Sequence, residues 1–177
     1  MPENQIELFI LDRDPIFRLG LCTALTEYTE FSVSLAAATT EELFNALDRG
    51  MSPDILIIGW SYDNSESNSC WQLCQKLLVR SRELMILLLA SGLTTQELEK
   101  IQSLGVRGYC LKGTNIDTLV FALNCLRSGE IYWQGDNFPV AVEKNLWQKA
   151  LSGFRNTGIE EISQDIQAIE NLLSANN

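Results

Sequence analysis

The chain contains no histidine. That removes the commonest general base of enzymes and the commonest metal ligand. Basic residues are also scarce, with 13 Lys and Arg against 23 Asp and Glu, a net charge of −10. Nucleic-acid binding is led by Lys and Arg contacts to phosphate, so an acidic chain is a poor nucleic-acid binder. Anionic lipid surfaces repel it for the same reason. No apolar run approaches the ~18 residues that a membrane span needs. The opening, Met1 to Glu7, is polar and acidic and lacks the apolar segment of a secretory signal. The expectation is a cytoplasmic protein with no nucleic-acid or membrane partner, its charge suited to a basic protein partner.

Five cysteines, an odd and scattered set, argue against a disulfide framework. Cys22, Cys110 and Cys125 fall in apolar patterns and read as small core residues. Cys70 and Cys74 lie one helical turn apart, and without a histidine or a second cysteine pair they make a weak metal site. No cofactor or metal is expected.

Apolar residues make up 46% of the 177, enough for one buried domain plus an appendage. Five apolar runs, Ile6–Leu11, Phe31–Ala37, Ile55–Gly59, Leu84–Leu89 and Val106–Leu111, are nearly continuous, as strands buried on both faces are. Between and after them lie helical patterns at Ile16–Tyr28, Glu41–Arg49, Cys70–Arg82, Thr95–Leu104 and Asp117–Arg127. Thr39 and Thr40 (ahead of Glu41 and Glu42), Thr94 (three before Glu97) and Thr114 (three before Asp117) read as capping signals, and Gly50 and Gly105 as left-handed helix ends. Strict alternation implies a parallel sheet with helices on both faces. Five such units fit an α/β, flavodoxin-like (βα)5 doubly wound sheet of order 2-1-3-4-5. In that order the first and third strands are neighbours, and their C-terminal ends flank the crevice where such folds do chemistry. Those ends read Leu11-Asp12-Arg13-Asp14 and Ile58-Gly59-Trp60.

After Gly129 the alternation stops, so residues 1–130 are expected as the α/β domain and 131–177 as a helical extension. Ile131-Tyr132-Trp133 reads as a short apolar piece, and Val140–Phe154 as a helix. A last helix carries Ile159, Ile162, Ile166, Ile169 and Leu173 at a/d spacing. That stripe suits an interaction seam or packing back on this chain. The chain stops without a capping structure, which suggests a piece of a longer protein.

Several segments together resemble the receiver domain of response regulators, closest to the NarL/FixJ subfamily. They are Ile10-Leu11-Asp12-Arg13-Asp14-Pro15-Ile16-Phe17-Arg18-Leu19-Gly20-Leu21, Pro53–Ile58, Gly105-Val106-Arg107-Gly108-Tyr109-Cys110-Leu111-Lys112 and Asn124–Ile131. The resemblance implies a phosphoacceptor aspartate ending the third strand and two acids holding Mg²⁺ after the first. It also implies a hydroxyl after the fourth strand and a lysine after the fifth. Most of that set is missing. Gly59 takes the acceptor position, Asp12 the first acidic position and Arg13 the second, with Asp14 one place later. Ala90 takes the hydroxyl position, beside Ser91. Lys112 is kept, and Tyr109 takes the aromatic position that reorients on activation in ordinary receivers. More loosely, the chain also resembles a cyanobacterial and plastid family with a receiver-like module ahead of a long uncharacterised region.

The resemblance therefore implies a degenerate pseudo-receiver, not an enzyme: a phosphorylation-independent regulatory module that binds protein partners, a second copy of the chain among them. Arg13, Asp12, Asp14 and Lys112 are expected to form a salt-bridge cluster in place of metal and phosphate. The Ala90–Arg127 face is the expected contact surface. The alternatives are an active switch using another acceptor, such as Asp63, or a small-ligand binder in the crevice. Against an enzyme, no Gly-rich phosphate loop follows the first strand.

Overall fold

The computed structural model describes residues 5–61, 70–91 and 93–134. Strand β1 (Ile6–Leu11), helix α1 (Pro15–Leu25), β2 (Phe31–Ala37), α2 (Thr40–Asp48), β3 (Ile55–Ser61) and α3 (Cys70–Arg80) come first. Then follow β4 (Met85–Ser91), α4 (Thr95–Ser103), β5 (Gly108–Leu111), α5 (Ile116–Arg127) and β6 (Tyr132–Trp133). All strands pair in parallel in the order β2-β1-β3-β4-β5-β6. The flavodoxin-like order expected for five strands is present, with a sixth strand added at the β5 edge.

The apolar runs become strands because each side of the sheet is covered. Alternate residues face opposite ways along a strand. Phe9, Leu11, Leu56, Ile58, Ile86 and Leu88 join Leu43, Leu77, Leu98 and Ile101 of α2, α3 and α4 in one core. Leu8, Ile10, Ile55, Ile57, Leu87 and Leu89 join Leu21, Leu25, Leu119, Leu123 and Leu126 of α1 and α5 in the other. Continuous burial of β1, β3 and β4 follows from that double cover.

Local signals set most helix ends. Thr39 caps α2, and Thr94 and Glu97 form a reciprocal capping box on α4. Gly50 and Gly105 end α2 and α4 at φ +86° and +98°, a region that favours glycine. The expected cap of α5 is displaced by one residue. Gly113, at φ +100°, turns the chain so that Thr114 donates its backbone N–H to the Leu111 carbonyl at 3.0 Å. Asn115 then becomes the cap, accepting from the Thr118 N–H at 2.8 Å.

The sheet continues past residue 130. The Tyr132 N–H donates to the Arg107 carbonyl at 2.9 Å and the Gln134 N–H to the Tyr109 carbonyl at 2.8 Å. The Gln134 side-chain carbonyl accepts from the Leu111 N–H at 3.0 Å. Tyr132 and Trp133 are buried, so β6 is a packed strand that closes the β5 edge. The expected helix at Val140–Phe154, the seam of Ile159, Ile162, Ile166, Ile169 and Leu173, and Asp63 lie outside the described residues. Among the described residues no helix is long and apolar enough to cross a membrane.

Trp133→Ala is expected to cost roughly 3–5 kcal/mol, as for other buried aromatic truncations. Ile131→Ala, at a residue 53% exposed, is expected to cost less than about 0.5 kcal/mol. Urea unfolding of the two variants reads the difference.

Candidate functional site

The C-terminal ends of β1, β3 and β5 converge because β1 lies beside β3 and the strands run parallel. Asp12 follows β1 directly, and its N–H donates to the Ala37 carbonyl of β2 at 3.1 Å. The side chain is 2% exposed. Its Oδ1 accepts from the Asp14 N–H at 2.8 Å. No neutral donor reaches Oδ2, and its charge is met instead by Lys112 Nζ at 2.8 Å. That is the length of a charge-assisted contact.

Lys112 is placed by the exit of β5. Its backbone N–H donates to the Ala90 carbonyl at 3.0 Å. Its side chain is 13% exposed, and Nζ stands 4.5 Å from the centre of the Phe17 ring. An ammonium over a ring face is attracted by the ring quadrupole. One cation thus touches both the end of β1 and the first turn of α1.

Gly59 faces this pair. A Cβ built on it would overlap Asp12 Oδ2 outright, and would stand 2.5 Å from Cγ and 3.0 Å from Cβ of Asp12. Real Cβ atoms do not approach so closely. The Asp12 side chain therefore fills the volume that any side chain at position 59 would need. Ala90, fully buried, sits opposite Trp60 in the β3–β4 pairing, and Ser91 opposite Ser61.

Of the expected cluster, the pair of Asp12 with Lys112 is present, and Arg13 and Asp14 are exposed. Arg13 is exposed, whereas Asp12 is buried; neighbouring residues at a strand end face opposite ways. The buried carboxylate is paired with Lys112, and Arg18 reaches back from α1 to donate from Nη1 to the Asp12 carbonyl. Asp14 is exposed, and its backbone N–H rather than its carboxylate meets Asp12. It is the N-cap of α1, and its Oδ1 accepts from the Ile16 and Phe17 N–H groups at 2.9 and 3.0 Å. The Phe17 hydrogen bond, with help from that of Ile16 and the charges of Lys112 and Arg18, holds the Asp14 carboxyl below its usual range despite some desolvation. Both candidate cation-binding acids are thus engaged within the protein. No group of three acids or cysteines that could hold a metal occurs among the described residues.

Tyr109 is 4% exposed and its ring lies 5.8 Å from that of Trp133, tilted by 35°. Burial raises its phenol above the ordinary value. Cys70 and Cys74 are buried on one face of α3. The thiol hydrogen bond between them, with desolvation, pushes the Cys70 thiol far up and keeps it protonated and inert. The roles of Phe17, Arg18 and Trp133 were not among the sequence expectations. Of the three, only Arg18 had a usable signal, a lone cation in the first turns of an otherwise uncharged helix.

The first five strands, in the order β2-β1-β3-β4-β5, have the flavodoxin-like fold that solved receiver domains of response regulators share. The isolated receiver domain of RcsB from Salmonella enterica serovar Typhimurium, with phosphomimetic BeF3⁻, matches with TM-score 0.65 and 21% identity. The match covers 74% of this chain and 95% of that one. The non-phosphorylated RcsB receiver from Escherichia coli matches with TM-score 0.66 and 21% identity, over 75% of this chain and all of that one. The NarL receiver from Mycobacterium tuberculosis matches with TM-score 0.63 and 16% identity, over 72% of this chain and all of that one. No family model matches the chain. In sequence it is 30% identical over 173 residues to a Ycf55-like protein from Synechocystis sp.. That similarity covers 98% of this chain but 30% of the relative, so the chain spans under a third of its length.

Lys112→Met leaves the Asp12 carboxylate buried without its counter-ion and is expected to cost roughly 3–5 kcal/mol. Lys112→Met combined with Asp12→Asn is expected to recover part of that loss, read by denaturant unfolding. The Asp14 cap acts on the acid side. Its folded pKa is depressed, so its contribution is full above the ordinary value of 3.8 and is lost as pH falls through the depressed value. Stability of Asp14→Asn measured against pH is expected to meet that of the unsubstituted protein at low pH and to fall below it above pH 3.8.

Proposed function

We propose that this chain is a pseudo-receiver: a regulatory module that binds protein partners without being phosphorylated and without catalysing a reaction. The observation that carries this reading is the exclusion at Gly59. The acceptor position has no carboxylate, and its side-chain volume holds the Asp12 carboxylate. Aspartyl phosphorylation is a matter of positioning and charge neutralisation around one nucleophile. Here the nucleophile is missing, the first acid is paired with Lys112, and alanine stands in the hydroxyl position.

The module works as a surface. α4, β5 and α5 present the region expected to meet a partner, with β6 occupying the sheet edge beside β5. A cytoplasmic protein partner, a second copy of the chain included, suits that surface better than nucleic acid does, given the net charge of −10. The Synechocystis relative, much longer than this chain, supports reading the module as one part of a larger assembly.

The test is incubation with acetyl phosphate and Mg²⁺ followed by intact-mass measurement. No labile phosphoryl adduct is expected. A stoichiometric, hydroxylamine-sensitive gain of one phosphoryl group would overturn the reading.

A further inference from the structure

We infer that Gly59 is the seat of an internal ligand, the Asp12 carboxylate, which locks the crevice in a single arrangement that needs no cation or phosphoryl group. This rests on the pseudo-receiver reading and gives its site a mechanism.

Three observations converge. First, the overlap is specific: the three nearest atoms to a Cβ at position 59 all belong to Asp12. Glycine at this point is therefore a condition for the buried position of Asp12, beyond being the loss of an acceptor. Second, both carboxylate oxygens are met from within the chain: Oδ1 accepts from the Asp14 N–H and Oδ2 is ion-paired with Lys112 Nζ, both at 2.8 Å. It has the contacts of a bound ligand, supplied by the protein itself. Third, the lock spans elements distant in sequence. Lys112 belongs to the end of β5 and also stands over Phe17 of α1, while Arg18 of α1 holds the Asp12 carbonyl. Removing Asp12 loosens α1 and β5 together, because the same ammonium serves both.

Burial makes the lock insensitive to the solutes that would open an ordinary site. A pair at 2% and 13% exposure is little screened by salt. A divalent cation entering the crevice would have to break the Lys112 contact before gaining Asp12.

A double-mutant cycle between Gly59→Ala and Asp12→Ala tests the lock by urea unfolding. With Asp12 present, Gly59→Ala is expected to lower the folding equilibrium constant by roughly 100-fold or more, from overpacking and displacement of a buried charge. With Asp12→Ala as background, the same change is expected to cost less than about tenfold, since the carboxylate is gone. If Gly59→Ala fails to fold while the double variant folds, the coupling is supported. Equal penalties in the two backgrounds, or a double variant that fails where Asp12→Ala folds, would overturn it. Amide exchange gives the second readout. Asp12→Ala is expected to speed exchange at Phe17–Leu21 and at Cys110–Lys112 in parallel. Faster exchange confined to residues 12–14 would sink the coupling between α1 and β5. None of these readouts involves phosphoryl transfer. The lock can therefore fail while the chain still takes no phosphoryl group, and the phosphodonor test can fail while the lock holds.

Discussion

A carboxylate and a missing side chain share one volume at the end of β3. Asp12 turns inward from β1 into the space beside Gly59, and at 2% exposure it has given up its hydration. Burying a charge of that kind costs several kcal/mol unless an opposite charge and hydrogen bonds meet it. The Asp14 N–H and Lys112 Nζ do so, each at 2.8 Å. The arrangement is reciprocal. Without glycine at 59 the carboxylate has no room, and without Lys112 it has no counter-ion. Both conditions depend on parallel neighbours: β1 beside β3 supplies the first, and the exit of β5 beside β4 supplies the second.

β5 shows how this constraint spreads. It is a strand of four residues, held along one side by β4. A strand so short contributes few ladder bonds, so its position depends on what grips its ends and outer edge. Lys112 grips one end through Asp12 and Phe17. β6 and Gln134 hold the outer edge through Arg107, Tyr109 and Leu111. Tyr109 is packed under Trp133 within that frame.

The fold was legible because burial on both faces leaves a plain mark. Five uninterrupted apolar runs, separated by helical patterns with Thr39, Thr94, Gly50 and Gly105 at their ends, admit few arrangements. β6 escaped because a strand of two residues has no period to detect. The cap of α5 escaped because Gly113 spends Thr114 on a turn, and only the turn geometry makes Asn115 the first free side chain. At the site, the identities of Asp12, Gly59, Ala90 and Lys112 could be placed from motif spacing. The ion pair of Asp12 with Lys112 falls within the cluster expected from those positions. Lys112 is a cation that meets the buried carboxylate, and motif spacing alone does not give the 2.8 Å contact or the burial of Asp12. Phe17 is silent, since a ring under an ammonium has no sequence pattern, while Arg18 stands out as the lone cation of α1 without any sign of the carbonyl it meets.

The crevice beside Gly59 is filled by the Asp12 side chain. Were the crevice merely vacant, an aspartate at position 59 would go a long way toward restoring it. The observed packing makes that substitution a contest between two carboxylates for one volume beside one ammonium. Like charges at such range cannot both remain ionised at low cost. One must protonate, or Asp12 must return to solvent and surrender Lys112. Restoring a cation site would also require a second acid where Arg13 now stands, and a hydroxyl where Ala90 is fully buried. The glycine, the buried acid and the lysine thus form one unit with its own energetic minimum, held where the ends of β1, β3 and β5 meet.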